Sequence, residues 1–241
     1  MGNFTRPIAG AVVACAAALA YSVTTSAADD YPVKPVRVVV GLVAGGSADI
    51  IARAISQKLT DAFKHPVLVE NRPGASGMIA AELVAKANPD GYTLFEASMT
   101  THSIGPHIYR SLSFDVIKDF EAVALMVRIP LVMFINASVP ATNLKEFVAL
   151  TKTNPGKYNY SSAGPGSPPH LAAELLKLKT GAQVLHVPYK GTGAALPDLV
   201  GGQVQLMVDG PPPFLPYVKS SLLRSTGFSL LKSVTKRGAR C

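Results

Sequence analysis

Short β-branched runs alternate along this chain with segments of helical periodicity, and this alternation restricts the possible folds more than any other feature. The strand-like runs lie at residues 36–40, 66–70, 92–97, 122–126, 131–136, 158–162, 184–188 and 203–208. The helix-like segments lie between them, at residues 48–63, 77–87, 144–153, 169–180 and 194–201. Strands that alternate with helices build a mostly parallel sheet with helices on both faces. The sequence therefore predicts an α/β fold.

Two of the expected strands lead through a glycine-containing loop into a helix. The first leads into AGGS at residues 44–47, and the sixth leads into AGPGS at residues 163–167. Each loop ends in a serine, Ser47 or Ser167, that we expect to cap the following helix. Such a junction leaves backbone N–H groups free at the positive end of a helix dipole, where an anion can bind. Because ligands of open α/β sheets bind at the carboxyl ends of the strands, both loops are candidate binding elements.

The chain begins with features of an exported protein. A basic residue, Arg6, precedes an apolar segment at residues 8–20, and a small-residue cleavage motif follows at residues 26–28. This pattern is typical of a secretory signal peptide over residues 1–28, so we expect a periplasmic protein, and lipoprotein anchoring through Cys15 is disfavoured. With Cys15 in the signal peptide and Cys241 at the end of the chain, no disulfide framework is expected.

The formal net charge of +8 comes mostly from one end of the chain. Acidic and basic residues nearly balance between residues 29 and 209, and all later charged residues are basic. These are Lys219, Arg224, Lys232, Lys236, Arg237 and Arg240. A nucleic-acid-binding protein is expected to carry its basic residues on a folded face, so this distribution argues against a nucleic-acid partner.

Signatures of catalysis and of metal or cofactor binding are missing from the sequence. It contains no P-loop and no G-x-S-x-G nucleophile motif, and its histidines lack metal-ligand spacing. Gly191-Thr192-Gly193 follows an expected strand, as a dinucleotide fingerprint would, but Leu196 occupies the third glycine position. We therefore expect no enzyme, no cofactor and no metal, and a Rossmann-like nucleotide-using enzyme remains a distant alternative.

Four segments together resemble the substrate-binding receptors of tripartite tricarboxylate transporters, the Bug family. They are VVVGLVAGGSADIIAR at 38–53, VLVENRPGASGMIAAELVAKANPDGYTL at 67–94, NYSSAGPGSPPHLAAELLK at 159–177 and VLHVPYKGTGAALPDLVGGQVQLMVDG at 184–210. The resemblance implies a type II periplasmic-binding-protein fold, in which two α/β domains joined by crossover strands close on a small carboxylate, such as a di- or tricarboxylate, an amino acid or an aromatic acid. It also implies a monomer that delivers this ligand to membrane transporter subunits or to a sensor.

The resemblance assigns the carboxylate to the two glycine loops and to residues beside them. These ligand-binding candidates are Ala44, Gly45, Gly46, Ser47, Asp49, Ser161, Gly164, Gly166, Ser167, His170 and Asp209. Two such loops facing each other suit a dicarboxylate or an amino acid. Asp49 can instead hold its own loop, His170 can make a local hydrogen bond, and Asp209 can cap the following proline turn.

The resemblance also divides the chain into regions. Residues 29–124 correspond to the N-terminal part of domain 1, and residues 125–219 correspond to domain 2. The resemblance fades after Lys219, and residues 220–241 read as an aberrant basic tail without periodicity. We therefore expect an incomplete first domain and a truncated or frameshifted gene product, and a non-functional remnant of a receptor is an alternative to a working one.

Overall fold

The computed structural model describes residues 31–226, which from Lys34 onward belong to one compact unit. The predicted signal peptide and residues 227–241 lie outside the described residues. No helix among the described residues is long and apolar enough to cross a membrane.

The first lobe is built on a three-stranded parallel sheet in the order β2-β1-β3. Its elements are β1 (Val36–Val40), α1 (Ser47–Phe63), β2 (Val67–Asn71), α2 (Met78–Ala85), β3 (Thr93–Phe95) and α3 (Gly105–Ile108). The valines of β1 are almost entirely buried, and those at positions 36, 38 and 40 pack with Ala52 of α1. The β-branched run forms the central strand because burial on both faces suits a continuous apolar sequence.

The second lobe is built on a five-stranded mixed sheet in the order β6-β5-β7-β4-β8. Its elements are β4 (Val132–Asn136), α4 (Leu144–Thr153), β5 (Asn159–Ser162), α5 (Pro168–Thr180), β6 (Leu185–Pro188), α6 (Thr192–Val200), β7 (Leu206–Asp209), α7 (Leu215–Lys219) and β8 (Leu223–Thr226). Strands β5, β6 and β7 are parallel, whereas β4 runs antiparallel to both β7 and β8. The α/β fold with a mostly parallel arrangement is therefore confirmed.

Helices on both faces cover the second sheet and bury two apolar clusters. On one face, Phe147 of α4 and Leu176 of α5 pack with Tyr160. On the other face, Leu199 of α6 packs with Phe134 and Phe214, whose rings stack at a centroid distance of 4.1 Å. This two-sided core holds the carboxyl ends of β5 and β7, and the loops that follow them, in fixed positions.

The prediction of a strand at residues 122–126 was wrong. This segment has no regular secondary structure, and the side chains of Val123 and Leu125 are 78% and 73% exposed. Its apolar residues favour an extended conformation, but a strand also needs a neighbour for its backbone hydrogen bonds, and no described strand pairs with it. The helical segment at residues 100–108 was not predicted.

The reading of residues 220–241 as lacking periodicity was wrong for Leu223–Thr226. This segment forms β8 and pairs antiparallel with β4. Arg224, counted above among the excess basic residues, donates hydrogen bonds from Nη1 and Nη2 to three carbonyls of the loop after β4, at 2.9–3.1 Å. The fold of the second lobe therefore continues beyond the predicted boundary at Lys219.

Candidate functional site

The AGGS loop at residues 44–47 connects β1 to α1, with Ala44 and Gly45 exposed and Gly46 and Ser47 buried. Gly45 has a φ of +83°, a conformation that L side chains rarely adopt, and Gly46 is the N-cap of α1. The prediction that Ser47 caps this helix was wrong, because Ser47 is its first residue. The Ser47 Oγ instead donates a hydrogen bond across the lobes to the carbonyl of Gly210 at 3.2 Å.

Asp49 holds this loop in place, as the sequence allowed. Its buried carboxylate accepts hydrogen bonds from Gly45 N at 3.0 Å, from Asn71 Nδ2 at 2.9 Å and from Arg53 Nε at 3.0 and 3.1 Å. Burial raises the pKa of the Asp49 carboxyl, but the hydrogen bonds from Arg53, Gly45 and Asn71 outweigh it and hold that pKa below its usual value. Both carboxylate oxygens are thus committed to protein donors.

The start of α1 presents free donors. The backbone N–H groups of Gly46, Ser47 and Ala48 have no hydrogen-bond acceptor among residues 31–226. They lie at the N-terminus of a 17-residue helix, where the helix dipole adds a partial positive charge. This arrangement favours an anion in front of the loop.

The loop at residues 163–167 of the second lobe uses its backbone donors internally. Gly164 N donates to Ser162 Oγ at 3.1 Å, Gly166 N donates to His170 Nδ1 at 3.2 Å, and Ser167 N donates to the carbonyl of Gly164 at 3.1 Å. The expectation that this loop offers free N–H groups was therefore wrong, because nearby side-chain and carbonyl acceptors take those N–H groups.

The two predicted serines in and just before this loop have different environments. Ser167 is the N-cap of α5 as predicted, with its Oγ accepting from His170 N at 3.4 Å. Ser161 lies at the end of β5 with no exposed surface, and its Oγ is 3.5 Å from the carbonyl of Leu206. His170 makes the local hydrogen bond to Gly166 that the sequence left open as an alternative.

The AGGS loop approaches a segment of the second lobe that the sequence analysis did not select. A Cβ on Gly46 would lie 3.5 Å from Thr192 Cβ, and a Cβ on Gly193 would collide with the carbonyl oxygen of Ala44. Thr192 is the first residue of α6, and the N–H groups of Thr192 and Gly193 have no acceptor among the described residues. The N-termini of α1 and α6 therefore face each other across the lobes.

The loop at residues 163–167 has a different partner from the one expected. It contacts the turn at Ala75–Gly77 of the first lobe, where Ser76 Oγ donates to the carbonyl of Pro165 at 3.0 Å. The expectation that the two glycine loops face each other was wrong at the level of direct contacts. The relevant signal in the sequence was KGTG at residues 190–193, a third glycine loop between a strand and a helix.

Asp209 supports the start of α6 from the carboxyl end of β7. Its carboxylate accepts hydrogen bonds from Thr192 Oγ1 and, at 2.6 Å, from Gly210 N. Burial raises the pKa of Asp209 to about 6, against the opposing hydrogen bonds from Thr192 and Gly210. Asp209 and Asp49 thus have equivalent positions, each a buried carboxylate that fixes one of the two facing loops.

A surface groove opens beside the contact between Gly45 and Gly193. Its volume is about 370 Å³. Its walls are mostly apolar and include Ile50 of α1, Leu196 of α6 and Tyr217 of α7. No group of His, Cys, Asp or Glu side chains within residues 31–226 has the arrangement of a metal site. The site therefore combines anion-binding donors with adjacent apolar surface.

A family model for the tripartite tricarboxylate transporter family receptor matches residues 51–239. This range shows that the expected end of the resemblance at Lys219 was wrong. The chain is 35% identical to protein BugT of Bordetella pertussis over 92% of its own length and 68% of BugT.

Two solved structures share this architecture. The structure of R. palustris Rpa4515 with adipate has a TM-score of 0.79 and 33% identity, over 81% of this chain and 66% of that one. MatC from Rhodopseudomonas palustris with bound malate has a TM-score of 0.74 at the same identity and coverage. The fold is thus that of type II periplasmic binding proteins, and the chain spans about two thirds of the length of these similar proteins.

Proposed function

The chain belongs to the tripartite tricarboxylate transporter receptor family, and from that membership we propose that it binds a small carboxylate outside the cytoplasm for delivery to membrane transporter subunits or to a sensor. The family is one of periplasmic solute-binding receptors and not of enzymes, so the Rossmann-like alternative is set aside. We further propose that the receptor acts as a monomer, because each chain supplies both sides of its own site.

The observation that carries this proposal is the pair of facing helix N-termini. The free N–H groups of Gly46, Ser47 and Ala48 point to a carboxylate bound in front of α1, and those of Thr192 and Gly193 add donors from α6. Two positive dipole ends repel each other across the lobes unless an anion lies between them. An anion bound there would therefore offset this repulsion.

We propose that the preferred ligands are dicarboxylates. Adipate and malate, which the two similar structures contain, each carry two carboxylates. One carboxylate would bind between α1 and α6, and the second would lie toward Ser161 and Ser167. Ser167 Oγ accepts a hydrogen bond but has no described acceptor for its own proton. Gly164, Gly166 and His170 would shape this second position, while Asp49 and Asp209 would hold the loops of the first.

Isothermal titration calorimetry of the chain against a small panel tests the proposal. The panel contains malate, adipate, citrate, glutamate, ribose and AMP. We expect binding of at least one carboxylate and no binding of ribose or AMP. Binding of a sugar or nucleotide, with no response to any carboxylate, would contradict the proposed function.

A matched pair of variants tests the role of the α1 donors. Ser47→Ala removes the hydroxyl group, whereas Ser47→Pro removes both the hydroxyl and the N–H group. Proline is well tolerated at the first position of a helix, and the extended conformation of Gly46 is compatible with a following proline. A hydrogen bond to a charged group contributes roughly 1.5–3 kcal/mol, so Ser47→Pro should bind the carboxylate about tenfold or more weakly than Ser47→Ala. Equal affinities of the two variants would exclude this N–H as a ligand donor.

A further inference from the structure

Three aromatic rings stack beneath the loop at residues 163–167. The ring of Tyr160 on β5 lies 4.8 Å from that of His186 on β6, and His186 lies 4.3 Å from His170 on α5. The planes of the Tyr160 and His186 rings are inclined by 14° to each other and those of the two imidazoles by 26°, so both pairs are stacked. Three different elements thus fix the position of the His170 ring.

The His170 ring reaches the loop through one nitrogen. Its Nδ1 accepts the hydrogen bond from Gly166 N at 3.2 Å, so in the neutral ring the proton lies on Nε2. His186 Nε2 is 2.7 Å from Ser162 Oγ, and this oxygen accepts from Gly164 N at 3.1 Å. The N–H group of each loop glycine is therefore connected to one of the two histidines, Gly166 directly and Gly164 through a serine.

Only the connection to His170 requires an unprotonated nitrogen. A protonated His186 can donate from Nε2 to Ser162 Oγ, whose own proton can turn to the carbonyl of Gly164, 3.4 Å away. A protonated His170 carries a proton on Nδ1 and cannot accept from Gly166. Protonation therefore preserves one of these hydrogen-bond paths and breaks the other.

Two charged side chains of α5, Glu174 and Lys177, act on the neighbouring His186 ring. Glu174 of α5 binds Lys177 at 2.8 Å and accepts a hydrogen bond from Tyr160 at 2.5 Å. Burial lowers the pKa of His186, and the charge of His170 lowers it further. Glu174 raises the pKa of His186, and Lys177 lowers it. The nearby segment at residues 100–108 places apolar Ile104 and Ile108 against Gly166.

We propose that His170 is a proton-sensitive positioning residue, which holds the loop at residues 163–167 through Gly166 and releases it when its imidazole becomes protonated. The loop is also the point at which Ser76 of the first lobe contacts Pro165. Release of Gly166 would weaken this contact between the lobes, so acidification would favour their separation. This role goes beyond the proposed function, because it concerns the loop itself and not the bound carboxylate.

Proton and nitrogen NMR of the chain labelled with 15N-glycine tests the proposal directly, without any carboxylate. We expect the Gly166 amide resonance to titrate with the same midpoint as the His170 ring protons, because Gly166 N donates to His170 Nδ1. Gly156 lies in an exposed turn, where an added Cβ would meet no described atom within 4 Å, so it is the control and should not follow that midpoint. A Gly166 resonance that does not titrate, or that titrates with a different midpoint, would overturn the proposal whether or not the protein binds carboxylates.

Three variants separate the hydrogen bond from general stability. His170→Gln keeps an acceptor that does not titrate, so the pH dependence at Gly166 should disappear. His170→Phe keeps a stacked ring without an acceptor, so hydrogen exchange at Gly166 should become about tenfold faster at neutral pH. His65→Gln, at the opposite end of the first sheet, should leave the Gly166 titration unchanged. A Gly166 titration that persists in His170→Gln would contradict the proposal.

Discussion

Two buried carboxylates show how single residues hold the two facing loops in place. Asp49 accepts from Gly45, and Asp209 accepts from Thr192 and Gly210, so each fixes the loop before one of the two facing helices. Each carboxylate oxygen already accepts a hydrogen bond from a protein donor. The two buried carboxylates therefore do not compete with a bound anion for the free N–H groups of the facing helices. The groups that would bind the ligand are then mainly backbone N–H groups.

Glu96 is a partly buried acidic residue of the first lobe that lacks such partners. It follows β3, and its carboxylate makes no hydrogen bond or ion pair within residues 31–226. Burial raises the pKa of Glu96 to about 7. The folded state then binds a proton that the unfolded chain releases near its ordinary pKa, so stability falls as the pH rises from about 4.5 to about 7.

We predict that Glu96→Gln stabilises the chain at high pH only. The neutral amide avoids burial of a charge, so the free energy of unfolding at about pH 8 should rise by about 1–3 kcal/mol. This range is lower than the raised pKa of Glu96 alone would give, because the side chain is partly exposed and solvent screens its charge. At about pH 4.5 the variant and the original chain should be similar. Urea denaturation at both pH values measures this, with exposed Glu121→Gln as control. A gain that is the same at both pH values would contradict the account.

At the scale of elements, β8 depends on contacts that its own sequence does not predict. Leu223-Arg224-Ser225-Thr226 has little apolar alternation, but it pairs with β4, and Arg224 binds the carbonyls of Ala137, Val139 and Ala141. The planar guanidinium can reach several carbonyls at once, which a lysine ammonium cannot do in the same way. The strand is therefore fixed by one side chain as much as by its ladder.

We predict that Arg224→Ala destabilises the second lobe. The substitution leaves the carbonyls of Ala137 and Ala141 without their donor and that of Val139 with only the N–H group of Ala141, which should lower the free energy of unfolding by about 1–3 kcal/mol. Arg224→Lys should recover only part of that loss. The exposed Arg110→Ala is the matched control, and urea denaturation is the measurement. If Arg224→Ala and Arg110→Ala behave alike, β8 does not contribute to the stability of the lobe.

Local sequence patterns predicted most elements but not their long-range partners. Strands β1 to β7 and the helices between β1 and β7 that pack on the sheets follow from periodicity and turn residues. The segment at 122–126 has the same apolar pattern but forms no strand, whereas β8 lacks this pattern and forms one. In both cases the outcome depends on pairing with residues that are distant in the sequence. For the same reason, the two glycine loops were predicted but the segments that contact them were not. In the sequence, Gly191-Thr192-Gly193 is only an incomplete dinucleotide motif, whereas in the fold it lies opposite Gly45 and Gly46.

At the scale of the whole molecule, the two lobes meet at both candidate loops. Ser47 Oγ binds the carbonyl of Gly210 at 3.2 Å, Val43 N donates to the carbonyl of Lys190 at 3.3 Å, and Ser76 Oγ binds the carbonyl of Pro165 at 3.0 Å. A solute can reach the α1 and α6 donors only when these contacts separate, as they do when a two-domain receptor opens about its hinge. Under the proposed function, ligand binding and lobe closure would be one equilibrium.

The central claim is that a dicarboxylate binds between the N-termini of α1 and α6. A crystal structure of the chain grown with saturating malate or adipate tests it most directly. The account predicts one ligand carboxylate within about 3 Å of the N–H groups of Gly46 and Ser47, with Thr192 on its other side. A ligand bound elsewhere, or a crystal in which neither dicarboxylate binds at saturation, would contradict it.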